Sequence, residues 1–182
     1  MNIEALSIGE DIPNAFNVII EIPAHTPGIK YELDKASGCV LVDRFMATPM
    51  HYPCDYGFIP HTLADDGDPV DALVVAPCPL QPGVVVTCRP LGMLAMEDEA
   101  GVDAKLVAVP ASRLTPLYDQ VRDIDDLQPL LLQQIAHFFA HYKDLENGKW
   151  VKVQGWQGVA AAKAEILAGV DRFEHSKKKP NF

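Results

Sequence analysis

The sequence predicts a mainly β fold with some α: an antiparallel barrel with two helices packed outside it. Three observations carry this. Short apolar runs rich in β-branched residues are separated by turn residues, among 15 prolines and 12 glycines. Helical periodicity appears only late in the chain. Strands do not alternate regularly with helices, as a parallel sheet would require. The 182 residues suit a single domain, 1–182, with a sizeable core and a flexible tail over 175–182.

Residues 1–12 read as a short helix or an arm. Asn17 to Ile22 is a β-branched run stopped by Pro23, and forms the first strand. Ile29 to Asp34 and Cys39 to Phe45 flank the Ser37-Gly38 turn and read as a hairpin. Thr48 to Pro60 carries three prolines and Gly57, and reads as loop or irregular strand. Val70 to Ala76 is a strand. Val84 to Met96 is a long one, bent at Pro90 or Gly92. Glu97 to Asp103 reads as a second acidic loop, and Lys105 to Val109 as a short strand. From Gln128 to Leu145, the spacing of Leu131, Ile135, Phe138 and Tyr142 predicts a helix, with Pro129 tolerated in its first turn. Trp150 to Val153 is a strand and Val159 to Phe173 an Ala-rich helix. Lys177-Lys178-Lys179 falls in a solvated tail.

The net charge of −10 argues against binding nucleic acid or an anionic membrane. Cys39, Cys54, Cys78 and Cys88 form no Cys-x-x-Cys pair, so structural zinc has little support. No leader and no bilayer-length apolar run is visible, so a cytoplasmic protein with reduced thiols is the expectation.

Asp65-Asp66-Gly67-Asp68-Pro69-Val70-Asp71 puts four carboxylates into seven residues. Like charges so close destabilise one another as anions, and a hard divalent cation removes that cost. Gly67 and Pro69 shape the loop and keep it from starting a helix. A solvated acidic turn has the same composition. Strand parity adds a second signal. Glu21 shares a face with Ile19, Arg44 with Val40 and Val42, and Asp71 with Leu73 and Val75. Asp103 and Lys105 share one with Val107 and Val109. Four apolar rows thus begin or end in charge, and buried unpaired charge is costly. The strand ends are expected to converge on one polar mouth that holds acids, cations (Lys30, Arg44, Lys105, Lys143) and tyrosines. Carboxylates with magnesium, and cations with phosphate oxygens, suit metal-assisted phosphoryl chemistry. Neither a P-loop nor Gly-x-Ser-x-Gly is present.

Asp66-Gly67-Asp68-Pro69-Val70-Asp71-Ala72 resembles the signature of the soluble inorganic pyrophosphatases of family I, bacterial type. The resemblance extends in order through Glu21-Ile22-Pro23, Ile29-Lys30-Tyr31-Glu32, Val42-Asp43-Arg44-Phe45 and Tyr52-Pro53-Cys54-Asp55-Tyr56-Gly57. It continues through Asp98-Glu99-Ala100-Gly101, Asp103-Ala104-Lys105 and His141-Tyr142-Lys143-Asp144-Leu145. It implies a five-stranded closed OB-like barrel that hydrolyses pyrophosphate to two phosphates with several magnesium ions. It further implies Asp66, Asp71, Asp98 and Asp103 as metal ligands, with Glu21 and Glu32 in the outer part of the cation site. Asp68 corresponds to the general base. Lys30, Arg44, Tyr56, Tyr142 and Lys143 correspond to groups that bind the substrate, beside Glu32. A homohexamer is the usual bacterial assembly. His137 and His141, four apart on the long helix and opposite its core stripe, are candidates for a subunit contact.

Two other readings compete. Asp66-Gly67-Asp68 also resembles the Asp-x-Asp of aspartyl phosphatases, but the apolar strand follows the motif here instead of preceding it. A calcium-binding module would need an EF-hand spacing that is absent, and would have no use for Lys30, Arg44 and Lys143.

Overall fold

The computed structural model describes residues 2–176. Among them the strands are β1 (Phe16–Ile22), β2 (Ile29–Asp34), β3 (Cys39–Phe45), β4 (Asp55–Phe58), β5 (Asp71–Val74), β6 (Val85–Asp98), β7 (Gly101–Pro110) and β8 (Val151–Gly158). The helices are α1 (Pro129–His141) and α2 (Val159–His175), with a single 3-10 turn at Ile124–Asp126. Of the tail expected over 175–182, His175 still belongs to α2, and residues 177–182, with Lys177–Lys179, lie outside the described residues.

Six strands form one sheet in the order β1-β4-β5-β7-β6-β8, and β6 also pairs back onto β1, from Phe16 opposite Cys88 to Ile19 opposite Val85. The fold is therefore mainly β with two helices. The expectation of a purely antiparallel arrangement needs correction. β5 and β7 run parallel, with Leu73 opposite Val107, while the other pairs in this sheet are antiparallel.

Both faces of the sheet are apolar. Leu73, Leu94, Met96, Val107 and Val109 belong to a core completed by Ile135, Phe138 and Phe139 of α1. Their neighbours of opposite parity, Ala72, Val74, Leu106 and Ala108, belong to a second core with Ala162 and Ile166 of α2. Period-two alternation thus sends each strand's two rows to different helices.

β2 and β3 match their expected bounds and form a separate two-stranded hairpin. This corrects the reading of β3: in the row leading to Arg44, Val42 is 52% exposed and Val40 only half-buried, so the row is not a core row. Of the two readings for Thr48 to Pro60, loop or irregular strand, the second holds at its end, where β4 is a regular strand. Its Gly57 is required because a Cβ there would lie 1.9 Å from the Ile19 carbonyl oxygen. Residues 97–103 are the end of a β6–β7 hairpin, not an acidic loop. Asp98 faces Gly101 and Asp103 faces Met96, both within strands. β6 bends through a bulge between Pro90 and Gly92, as Pro90 and Gly92 foretold. Residues 2–12 contain no helix, and Ile3 anchors them as an arm against Ile19, Leu33 and Phe58. α1 is shorter than expected, because tight turns replace the helix after His141 and Gly148 takes φ +75°.

Candidate active site

The apolar rows of the α1-side core end in charge. Asp71 continues the row of Leu73 on β5. Asp103 and Lys105 continue that of Val107 and Val109 on β7. Asp98 continues that of Leu94 and Met96 on β6. These ends open into a cavity of about 300 Å³. A bulge in β1 between Ile20 and Ile22 adds Glu21 to its wall. The 65–68 loop contributes Asp66 and Asp68, and the hairpin contributes Lys30, Glu32 and Arg44. Tyr56 enters from β4, while Tyr142 and Lys143 enter from the turn after α1. Every residue expected at the site lines this one cavity.

Lys105 is almost wholly buried. Its ammonium donates to Asp71 Oδ2 and stands 2.7 Å from Asp103 Oδ1. Burial alone would lower its pKa, but the charges of Asp71 and Asp103 outweigh burial and hold it above the ordinary lysine value. Burial raises the Asp103 carboxyl, with Lys105 offsetting part of the shift and Asp71 adding to it. Burial also raises Asp66; its bond from the Asp68 N–H opposes this, and the Asp68 and Asp71 charges reinforce it. Asp98 behaves oppositely. Burial pushes it up, yet the bond from Lys143 Nζ (2.8 Å) and the Ala100 N–H leave it below the usual carboxylate range. Glu21 accepts the Leu33 N–H at 2.8 Å and is pushed up to about 8, chiefly by burial. Burial keeps Tyr56 and Tyr142 above the ordinary phenol value, so both stay protonated donors.

On the cationic side, Lys30 Nζ lies 3.4 Å from Asp43 Oδ2 and 3.7 Å from Glu32 Oε2. Arg44 Nη1 donates to Asp43 at 3.1 Å, and its Nε lies 3.4 Å from Glu146 Oε1 without forming a hydrogen bond. Each cation is held by a carboxylate and still lines the cavity. Asp43, set in the hairpin bulge beside Lys30, was not among the expected residues. Neither were Lys35, Lys149 and Glu99, although both lysines line the cavity and Glu99 pairs with Lys143 and Lys149. Lys149 follows Gly148, the signal that the chain turns back there. Lys35 sits in the hairpin turn. Turn residues follow no periodicity that would have aimed them inward.

Among the described residues, no three His, Cys, Asp or Glu side chains converge tightly enough to grip one ion. The donor set still fits a hard divalent cation. Asp66, Asp71, Asp98 and Asp103 offer only oxygen, two of them resist ionising, and the Lys105 ammonium already serves as a positive centre between Asp71 and Asp103.

Fold and cavity together define a class: a mainly β enzyme in which clustered carboxylates face a set of cations across one pocket. Comparison with known proteins narrows it. The family model for inorganic pyrophosphatase matches residues 18–174. The inorganic pyrophosphatase of Escherichia coli (strain K12) is 60% identical over 175 residues, covering 96% of this chain and 99% of its own. That of Pseudomonas aeruginosa is 58% identical over 174 residues, covering 96% and 99%. Among solved structures, an inorganic pyrophosphatase from Coxiella burnetii superposes with TM-score 0.89 at 53% identity, covering 92% of this chain and 99% of that one. The Thermus thermophilus inorganic pyrophosphatase gives TM-score 0.89 at 45% identity, covering 96% and 99%. The chain belongs to the inorganic pyrophosphatase family.

Proposed function

We propose that this chain, acting as one domain, hydrolyses pyrophosphate to two phosphates with magnesium. The observation that carries the reading is the meeting of Asp66, Asp71, Asp98 and Asp103 with Lys30, Arg44 and Lys143 around one cavity. A lone cation site would not need the basic side chains, and a lone anion site would not need the acids. Magnesium held by the four aspartates would supply Lewis-acid polarisation of phosphoryl oxygens and a water acidified toward neutrality.

The chain's own residues do the rest. Lys30, Arg44 and Lys143 neutralise phosphate oxygens, and the protonated Tyr56 and Tyr142 hydroxyls donate to them. Glu32 holds Lys30 from outside, and Glu21 closes the wall near Asp71. Asp68 sits at the exposed loop tip, its backbone N–H bonded to Asp66 Oδ1 at 3.0 Å. Its carboxylate accepts the proton of the attacking water as general base. Lys105 keeps the ends of β5 and β7 together while the charge around them changes.

The strands β1, β4, β5, β7 and β6, whose pairings return to their start, are read as a closed OB-like barrel. The assembly we favour is a homohexamer with His137 and His141 at a contact between subunits. Both histidines are exposed, with ring centroids 4.6 Å apart, on the face of α1 turned from its core. A cytoplasmic setting agrees with four unpaired cysteines, and no helix among the described residues is long and apolar enough to cross a membrane.

One assay tests the reading. Phosphate release from pyrophosphate should require magnesium, stop on chelation, and greatly exceed release from p-nitrophenyl phosphate. Hydrolysis of both compounds at similar rates would favour a general phosphatase. Neither being hydrolysed would remove the enzymatic reading.

A further inference from the structure

The 65–68 loop that presents Asp66 and Asp68 is exposed along its length. Its internal bonds run from the Ala64 N–H to the Asp68 carbonyl (2.7 Å), the Gly67 N–H to the Ala64 carbonyl (3.1 Å) and the Asp68 N–H to Asp66 Oδ1 (3.0 Å). These define the shape of the loop, but not its place relative to Asp71 and Asp103. Its exit is anchored in the sheet region, where Thr62 Oγ1 accepts the Val70 N–H at 3.0 Å and donates to the Ile59 carbonyl at 2.6 Å.

Its entry is anchored on α2. The Leu63 N–H donates to the Gly169 carbonyl at 2.9 Å, and Arg172 Nε donates to the Leu63 carbonyl at 2.7 Å. Arg172 Nη1 also lies 3.4 Å from Asp65 Oδ1, and Nη2 donates to Glu165. One guanidinium therefore ties the backbone just before the loop, the loop's first carboxylate, and a second turn of α2. Gly169 permits this closeness, because a Cβ there would lie 2.7 Å from Val70 Cγ2. A planar fork with several donors in fixed directions suits such a three-way tie better than a single ammonium.

We propose that Arg172, oriented by Glu165, is a positioning residue that sets the placement of Asp66 and Asp68 from the outer side of α2. The catalytic part of this assignment rests on the roles proposed above for those two aspartates. The clamp itself rests on geometry alone. Arg172 lines no part of the cavity and reaches no reacting atom.

The test compares Arg172→Met, which keeps the apolar stem and removes the donors, with Arg172→Lys, which restores the charge. Amide exchange at Ala64, Gly67 and Asp68 should accelerate about tenfold in Arg172→Met, with β5 and β7 unchanged. In magnesium and pyrophosphate, kcat should fall about tenfold while KM moves less than about twofold, and Arg172→Lys should recover part of the loss. Should Arg172→Met not fold, Glu165→Gln offers a milder perturbation with the same pattern at smaller size. Unchanged exchange at the three amides, faster exchange spread evenly over the molecule, or faster loop exchange with unaltered kcat would each overturn the proposal. A wild-type protein that hydrolyses no pyrophosphate, together with the loop-specific exchange change, would sink the catalytic reading and leave the clamp standing.

Discussion

Lys105 Nζ stands 2.7 Å from Asp103 Oδ1 and also donates to Asp71 Oδ2, so a single buried ammonium joins carboxylates on the two parallel strands β5 and β7. Two acids at this separation would repel if left alone. The lysine holds the site together in the metal-free protein.

Replacing it should therefore matter most without metal. Lys105→Met leaves two largely buried carboxylates without their cation, and should lower the stability of metal-free protein by about 3 kcal/mol. Lysine's contribution is fully present below its ordinary pKa and vanishes only above its raised folded value, so the wild type keeps all of it from pH 6 to 9. Saturating magnesium should restore part of it. Thermal melts in chelator and in magnesium check this, and an equal loss in both would mean that the carboxylates share no added cation.

Asp68→Asn keeps the shape of the loop, because the bond to Asp66 Oδ1 comes from the backbone N–H of residue 68. The variant should bind pyrophosphate almost normally while kcat falls about 100-fold, the range for loss of a general base. Single-turnover and binding measurements separate the two effects. An unchanged kcat would take Asp68 out of that role.

Glu21 predicts a pH slope. Its folded pKa, raised by burial, is about 8 against an ordinary 4.5. Between those values the folded protein holds a proton that the unfolded chain releases, so stability falls as pH rises through the window. Glu21→Gln can still accept the Leu33 N–H and does not titrate. In chelator it should match the wild type near pH 4.5 and exceed it by roughly 3 kcal/mol at pH 8, allowing for compact unfolded states. Denaturant titrations across that range provide the check, and parallel curves for both proteins would rule the slope out.

His141 Nδ1 lies 2.8 Å from Asp144 Oδ2, with the His137 ring one turn away and tilted 52° to its own. Where this face meets another subunit, carboxylates placed on it should repel their counterparts and loosen the contact. Sedimentation at one pH should show a smaller species for His137→Glu with His141→Glu, while His137→Gln with His141→Gln should keep the wild-type mass. Identical mass for all three proteins would place the contact elsewhere.

Much of the fold and site was legible because local chemistry set it. β2 and β3 were bounded to the residue by the turn between them. The rows ending in Asp71, Asp103 and Lys105 pointed to the cavity because Leu73, Val107 and Val109 are fully buried. The same argument misread the row of Arg44, since the β2–β3 hairpin stands apart from the main sheet and leaves Leu41, Val42 and Phe45 more than half exposed. β4 was hidden because Pro53 and Gly57 look like loop residues. The reason for Gly57, the pressing Ile19 carbonyl, is a contact between distant segments. The parallel pairing of β5 with β7 was hidden for a similar reason, since no turn residue records it. Lys35 and Lys149 reach the cavity from turns, where no repeat tells inward from outward.

The sheet with two apolar faces has a further consequence for how the protein can fail. A slip of one residue in β5 or β7 would leave each strand looking acceptably greasy on both sides, so hydrophobicity alone would penalise the error weakly. What such a slip could not tolerate is a carboxylate thrust among the methyl groups of α2. The charged ends of these rows thus act as proofreaders of strand alignment, and the active fraction of a refolded sample becomes a direct count of correctly threaded molecules.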